Sequence, residues 1–234
     1  MTTSASRRGV LRAGTFLGAA IAGATAAAAP SRDKKKKDEA EEIGPGEDLM
    51  REHGVLRRVL LVYGEAGRRL QRGGDLDADV IQKGARLIRK FIEDYHERQE
   101  EEMVFPRFER AHKLVELVAV LRAQHQAGRK LTERIQTLAT AAAIKDGAQR
   151  RQLQAALDAF IQMYEPHASR EDTVLFPALH EITSRSEYGA LGEDFERREH
   201  HTFGADGFEQ AVAEVDALEK SLGIEDLARF TPRP

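Results

Sequence analysis

Residues 167–177 read HASREDTVLFP, and the same pattern of histidine, glutamate, phenylalanine and proline occurs earlier, at residues 96–106, as HERQEEEMVFP. Corresponding positions of the two stretches are 71 residues apart (96 to 167, 100 to 171). Residues four apart lie on one face of a helix, so each stretch directs an imidazole and a carboxylate toward one point. The pattern therefore predicts two copies of one helical unit.

Two further histidines follow nearly the same spacing. His53 and His125 are 72 residues apart, and each lies upstream of the paired motif in its own half. Both occupy positions in a helical pattern where aliphatic residues are usual. The spacing predicts four helices that direct six ligating side chains inward to one centre: His53, His96, Glu100, His125, His167 and Glu171.

Composition limits the chemistry of such a centre. The chain has 234 residues, of which 41% are hydrophobic and 32% charged, which is typical of one soluble helical domain with tails. It has no cysteine, which excludes disulfides, thiolate metal sites and cysteine-held iron-sulfur clusters. A net charge of −3 gives no reason to expect nucleic acid as a partner. Any metal must use nitrogen and oxygen ligands.

Helical periodicity and chain-breaking residues predict an all-α fold. We expect an up-down-up-down four-helix bundle at residues 47–186, with a C-terminal docking helix and tail at residues 187–234. Gly73 and Gly74 should end the first helix, and Asp75 or Asp77 should cap the second. Pro106 should end or kink that second helix. A single fifth helix is expected at about residues 188–222.

The N-terminal residues predict export. Arg7 and Arg8 precede an Ala/Gly-rich apolar run that ends before Pro30, and the paired arginines resemble the twin-arginine motif. Residues 1–29 are thus interpreted as a cleavable signal, with a general secretory signal as the alternative. The mature chain is expected to be periplasmic or extracellular, without a membrane anchor after signal removal. Residues 30–46 alternate blocks of charge, which predicts a disordered linker.

Imidazole and carboxylate ligands without thiolate suit iron, manganese or zinc. Carboxylates that bridge would make the site dinuclear. Two bridging glutamates, four histidines and a bridging oxide or hydroxide would supply ten of the twelve positions that two octahedral ions require. Positions would remain for a small ligand such as dioxygen.

The arrangement H…HxxxE…H…HxxxE, with Phe-Pro after each HxxxE, resembles the hemerythrin-like (HHE cation-binding) domain over roughly residues 47–180. The resemblance implies a four-helix bundle that holds two iron ions in a non-haem di-iron centre, with a bridging oxide or hydroxide. It also implies terminal ligation by the four histidines and bridging by Glu100 and Glu171.

One position departs from the oxygen-carrying members of that family. Their fifth histidine follows the third by one helical turn, and Arg129 stands at that position here. Glu97, His200 and His201 are candidate substitutes for the missing ligand. Tyr164, one turn before His167, is a candidate hydrogen-bond donor beside the centre.

Several functions remain open on the sequence. A ferritin-like site built from Glu-x-x-His pairs is the competing metal site, but only Glu93 with His96 and Glu109 with His112 have the spacing, and both lie on one helical stretch. Within the hemerythrin-like interpretation, the chain could bind dioxygen, nitric oxide or peroxide, store or deliver iron, or act as a peroxidase-type oxidoreductase. The pattern does not decide between binding and catalysis.

Overall fold

A computed structural model of the chain describes residues 43–232, except residues 74 and 205. The predicted export signal and nearly all of the predicted linker lie outside the described residues. From Gly44 onward the described residues form one compact unit. All regular elements among them are helical. None of these described helices combines the length and apolar character needed to cross a membrane.

The described residues form seven successive helices. They are α1 (Pro45–Arg72), α2 (residues 78–110), α3 (Val115–Leu138), the short α4 (Ala141–Lys145), α5 (residues 147–182), α6 (Arg185–Phe203) and α7 (Gly207–Leu222). A 3₁₀ turn (Leu227–Phe230) follows α7. Helix α1 begins two residues before the predicted boundary at residue 47, because Pro45 is favoured in the first turn and Gly46 is already buried.

Local sequence explains where the helices begin and end. Gly73 ends α1 in the left-handed conformation, with φ of 65°. Of the two candidate caps for α2, Asp77 is the one used, and its carboxylate accepts the backbone N–H of Asp79. Asp146 caps α5 in the same way. A capping box of Ser184 and Glu187 begins α6.

Helices α1, α2, α3 and α5 form the predicted bundle. Helix α1 packs against α2 and α5, and α3 packs against the same two helices, so that the four make a closed ring. Short connections make consecutive helices antiparallel. The prediction of an all-α bundle is confirmed.

Two helices of the bundle contain wide π-helical turns next to the predicted ligands. Helix α2 is π-helical at Ile88–His96 and Glu100–Val104, and α5 is π-helical at Glu171–Leu175. The N–H of Phe105 bonds to the carbonyl of Glu100, five residues back. Of the two outcomes expected at Pro106, an end or a kink, the helix does not end there: it continues to Arg110, because the wider turn before Pro106 makes room for the proline ring.

The apolar core is divided into two clusters by the layer of histidines. One cluster contains Leu49, Phe105 and Phe176, and the other contains Leu56 and Phe160. His53 lies on α1 between Leu49 and Leu56, so it separates the two clusters. The six predicted ligands are therefore enclosed by apolar side chains at both ends of the bundle.

The predicted single C-terminal helix is two helices. Gly204 and Asp206 both have positive φ angles, 82° and 62°, which interrupt the helix between α6 and α7. The chain turns there, and α7 packs against α1 and α2. Arg58 of α1 forms ion pairs with Asp216 and Glu219 of α7. Helix α6 also contacts α1 and places Leu191 and Phe195 in the apolar core, so both α6 and α7 dock on the bundle.

Candidate metal centre

The structure brings the six predicted ligands together inside the bundle. All of them are at most 3% exposed. They form two groups, within each of which the ligating atoms lie no more than 4.8 Å apart: His53, His96 and Glu100 in one, and His125, His167 and Glu171 in the other. Each half of the sequence repeat thus contributes both histidines of one group.

Both glutamates reach across from one group to the other. The Oε2 atom of Glu171 lies 3.0 Å from Nε2 of His167 and 3.4 Å from Nε2 of His53. The Oε2 atom of Glu100 lies 3.4 Å from Nε2 of His125 and 3.7 Å from Nε2 of His96. Each carboxylate therefore contacts a histidine of both groups, as a bridging ligand must.

The His53 and His96 rings face each other at the centre of the bundle. Their Nε2 atoms lie 3.0 Å apart, while each Nδ1 faces a carboxylate, Asp172 for His53 at 2.6 Å and Glu52 for His96 at 2.8 Å. Because the Nδ1–H groups bond to those acids, two neutral rings would direct their Nε2 lone pairs at one another. A proton or a metal ion between them removes that repulsion.

The protonation states fit this description. Burial alone would lower the pKa of His53, but Asp172 and Glu171 raise it to about 9. Burial and the neighbouring His53 charge hold the pKa of His96 well below its usual value. The two neighbouring rings thus have pKa values shifted in opposite directions, up for His53 and down for His96.

The Glu100 and Glu171 carboxyl groups also lack hydrogen-bond partners. Among the described residues, neither side-chain oxygen of Glu100 or Glu171, nor Nε2 of His125, has a partner with hydrogen-bond geometry. Burial and the Glu171 charge raise the pKa of Glu100 well above its usual value. Burial would also raise the pKa of Glu171, but His167 and His53 hold it well below normal. Buried oxygens and nitrogens with free lone pairs are the donor set that a metal requires.

A second ring of side chains orients the histidines, and our sequence analysis did not find it. The Nδ1 atoms of His125 and His167 lie 2.9 Å from Glu101 and 3.0 Å from Gln124. With Asp172 on His53 and Glu52 on His96, every predicted histidine ligand has an oxygen partner. Such partners fix the tautomer, leaving Nε2 to bind metal.

The repeat contained the signal for this outer ring. An acidic residue follows each bridging glutamate directly, as Glu101 and Asp172, and Glu52 or Gln124 precedes each single histidine. These pairs have the same 71- or 72-residue spacing as the ligands. Periodicity alone did not reveal them, because they contact histidines on other helices.

Arg129 and Arg57 occupy equivalent positions in the two halves of the repeat. Arg129 lies four residues after His125, as Arg57 lies four residues after His53. Arg57 pairs with Asp172, and Arg129 pairs with Glu101 at 2.9 Å. Each arginine thus holds the carboxylate that orients the histidine one turn before it. A side chain at position 129 that faces Glu101 and Glu97 is not directed at the ligand cluster.

Of the other candidates for an extra ligand, the two histidines of α6 lie away from the cluster, whereas Glu97 forms with Glu101 and His125 a third group whose ligating atoms lie within 4.8 Å of one another. His200 and His201 are exposed at the end of α6. Glu97 is 1% exposed, but its carboxylate accepts the Tyr164 hydroxyl at 2.7 Å and lies 2.9 Å from Arg129. Tyr164 is thus a hydrogen-bond donor beside the centre, with its ring edge-on to His167.

The competing ferritin-like site is not assembled. Glu93 bonds to Thr132 and pairs with Arg89, whereas Glu109 pairs with Arg122 at the surface.

The phenylalanines of the two Phe-Pro pairs cover the ligand cluster. Phe176 stacks on His53 and Phe105 stacks on His125, with ring centroids 5.5 Å and 5.4 Å apart.

Glu97 leads to a prediction about pH and stability. Burial raises its pKa from 4.5 to about 8, despite the Tyr164 hydrogen bond and the Arg129 charge. Above pH 4.5 the unfolded chain ionises at this position while the folded chain stays neutral, so stability is lost as pH rises toward 8. Relative to Glu97→Gln, metal-free wild type should lose on the order of 3 kcal/mol between pH 5 and 8. Urea unfolding of both proteins at pH 5 and pH 8 measures this loss. The same difference in unfolding free energy between the two proteins at both pH values would contradict the prediction.

Comparisons with known proteins agree with this geometry. The family described as "Hemerythrin HHE cation binding domain" matches residues 45–179. Relatives include "Uncharacterized protein Mb2018" of Mycobacterium bovis and "Uncharacterized protein Rv1995" of Mycobacterium tuberculosis. Each is 51% identical over 186 residues, which cover 80% of this chain and 73% of the relative. No solved structure matches the chain.

The chain belongs to the hemerythrin HHE cation-binding family. Its paired His/Glu groups fit a metal-binding protein.

Proposed function

We propose that this chain is a non-haem di-iron protein that binds dioxygen or a related small ligand, such as nitric oxide or peroxide, at the His/Glu centre. The single observation that best supports two ions is that Glu100 and Glu171 each contact a histidine of both groups. One mononuclear site would leave the second group of buried ligands uncompensated. Imidazole and carboxylate ligands suit iron.

In this proposal the six ligands hold two iron ions, with a bridging oxide or hydroxide. Bound iron would supply redox activity and coordination positions for the small ligand. The protein's own contribution is to orient the rings through their Nδ1 partners and to exclude water with Phe105 and Phe176.

Metal stoichiometry tests this proposal. We expect protein loaded anaerobically with ferrous iron to retain about two ions per chain and to develop near-ultraviolet charge-transfer bands in air. The matched control is Glu102→Ala, because Glu102 is an exposed acid two residues after Glu100, and it should load equally. A ratio near one, or zinc retained against iron without such bands, would exclude the di-iron proposal.

We also propose that residues 1–29 export the chain to the periplasm or the extracellular space. The support is the Arg7-Arg8 pair before an Ala/Gly-rich run. Replacing both arginines with lysine is expected to leave the precursor inside the cell, as cell fractionation would measure. Unchanged export of that variant would favour the general secretory route.

A further inference from the structure

A third set of side chains beside the centre has the composition of a cation site. Glu97 and Glu101 of α2 and His125 of α3 place three ligating atoms within 4.8 Å of one another, and we call these residues the outer group. The Glu101 side chain is 22% exposed, whereas Glu97 and His125 are at most 1% exposed. The outer group therefore extends from the surface to a ligand of the centre.

The Arg129 guanidinium lies between the two carboxyl groups of the outer group. Its Nη2 atom is 2.9 Å from Oε2 of Glu97, and its Nη1 atom is 2.9 Å from Oε1 of Glu101. The contact with Glu97 lacks hydrogen-bond geometry, so this buried oxygen retains lone pairs for a ligand. Arg129 thus stands where a cation would bind, and its side chain is 28% exposed, with solvent beside it.

The other half of the repeat has a single acid at the equivalent place. Asp172 orients His53 there and pairs with Arg57. Ala168 stands at the position equivalent to Glu97 (97 to 168). Orientation of a ligand histidine therefore does not require the second acid, whose burial costs folding free energy. Glu97 must contribute something other than ring orientation.

The His125 ring connects the outer group to the centre. Its Nδ1 atom lies 2.9 Å from Glu101, and its Nε2 atom lies 3.4 Å from the bridging Glu100. A neutral imidazole has one nitrogen lone pair and one N–H, so the ring binds an ion on one side at a time. An ion that uses this ring in the outer group must leave before His125 binds its ion in the centre. This arrangement suits a site of entry and not a permanent third position.

We propose that the outer group is the entry site for the divalent cations that fill the centre, and that Arg129 holds its two carboxyl groups until an ion replaces the guanidinium. The ligand class is a divalent first-row metal ion, since imidazole and carboxylate donors suit such ions. This inference rests on the proposed di-iron function and adds the route by which iron reaches the six ligands.

The first test is the rate of iron loading. Ferrous iron is mixed anaerobically with the protein, and samples taken over time are separated from free iron and analysed for metal. Glu97→Gln removes one carboxylate but keeps an oxygen that accepts the Tyr164 hydroxyl. We expect this variant to load about tenfold more slowly than wild type, because one charged ligand of the entry site is lost. Its final content should equal that of wild type, since the six ligands of the centre are unchanged.

Arg129→Met should have the opposite effect. Without a guanidinium to displace, loading should be several-fold faster than in wild type. A purely structural role for Arg129 predicts the reverse, because its loss would free Glu101 and misorient His125. The matched control is Arg57→Met, which removes the equivalent arginine where Ala168 replaces the second acid, and it should not load faster.

A second test needs no variant. Wild-type crystals grown without metal are soaked briefly in manganous ion, and anomalous diffraction locates the ion at successive times. We expect manganese between Glu97 and Glu101 at the shortest times, with the Arg129 side chain displaced.

Equal loading rates for wild type and Glu97→Gln would overturn the inference, as would slower loading of Arg129→Met. So would a centre that fills with manganese while the outer group shows none at any time. The di-iron proposal would survive each of these results. Wild-type protein that retains no iron would instead overturn the proposed function, and this inference with it.

Discussion

Replacing Glu171 with alanine is expected to remove both metal ions and not only one. The reason is geometric, because the Glu171 carboxylate lies 3.0 Å from His167 and 3.4 Å from His53, which belong to different groups. Loss of the carboxylate leaves each ion with fewer ligands and leaves the buried histidines without a counter-charge. We expect affinity to fall by more than about 100-fold at both positions, and Glu100→Ala should behave alike. Metal content after gel filtration, by elemental analysis, is the measurement.

Two further variants, a surface control and one with an intermediate expected effect, show how large the loss of affinity in Glu171→Ala is. Glu181→Ala removes an exposed acid on the same helix, paired with Lys113 at the surface, and should retain both ions. Asp172→Asn keeps the shape of the group that orients His53 but removes its charge, so affinity should fall by about 10- to 100-fold without complete loss. Two irons with an unchanged spectrum in Glu171→Ala would show that the bridging assignment is wrong for this chain.

Removing the metal is expected to lower the melting temperature of the wild-type protein by about 10 °C. Binding at about 1,000 times Kd stabilises a folded state by roughly 4 kcal/mol, and a domain of this size shifts by about 2–4 °C per kcal/mol. Without metal, Glu100 and Glu171 remain fully buried and close together, and this costs folding free energy. Calorimetry before and after chelation measures the shift.

The matched variant for this prediction is Glu100→Gln. Its stability relative to wild type should change sign when metal is added. Without metal it should be more stable than wild type, since it removes one of two neighbouring buried carboxyl groups. With metal it should be less stable, since an amide is a poor bridge. Equal melting temperatures for metal-free and metal-loaded wild type would contradict the coupling of metal to folding.

Much of the site could be predicted because its chemistry is repeated along the chain. The spacing of four between His96 and Glu100, and again between His167 and Glu171, requires a helix for the two side chains to converge. Two further histidines at nearly the same offset then predicted a single centre. Fold class followed from the same periodicity, since a helical stripe of ligands must face other helices.

Side-chain reach explains what the sequence analysis missed. Glu52, Gln124, Glu101 and Asp172 lie next to predicted ligands in the chain, yet each bonds to a histidine on another helix. Which neighbour faces which ring depends on how the helices are rotated in the bundle. The break between α6 and α7 was missed for a related reason, because the apolar pattern continues through Gly204 and only the backbone turns there.

The sequence by itself therefore determined the composition of the centre, the helical class of the fold and the pairing of the two halves, because these depend on residue type and spacing. Tertiary structure alone decided that π-helical turns begin at both bridging glutamates, and that Tyr164 crosses the bundle beside Gly128 to reach Glu97. The physical reason is close packing. Contacts between helices depend on side-chain volume and backbone approach at distances of a few ångströms, and linear spacing does not encode these.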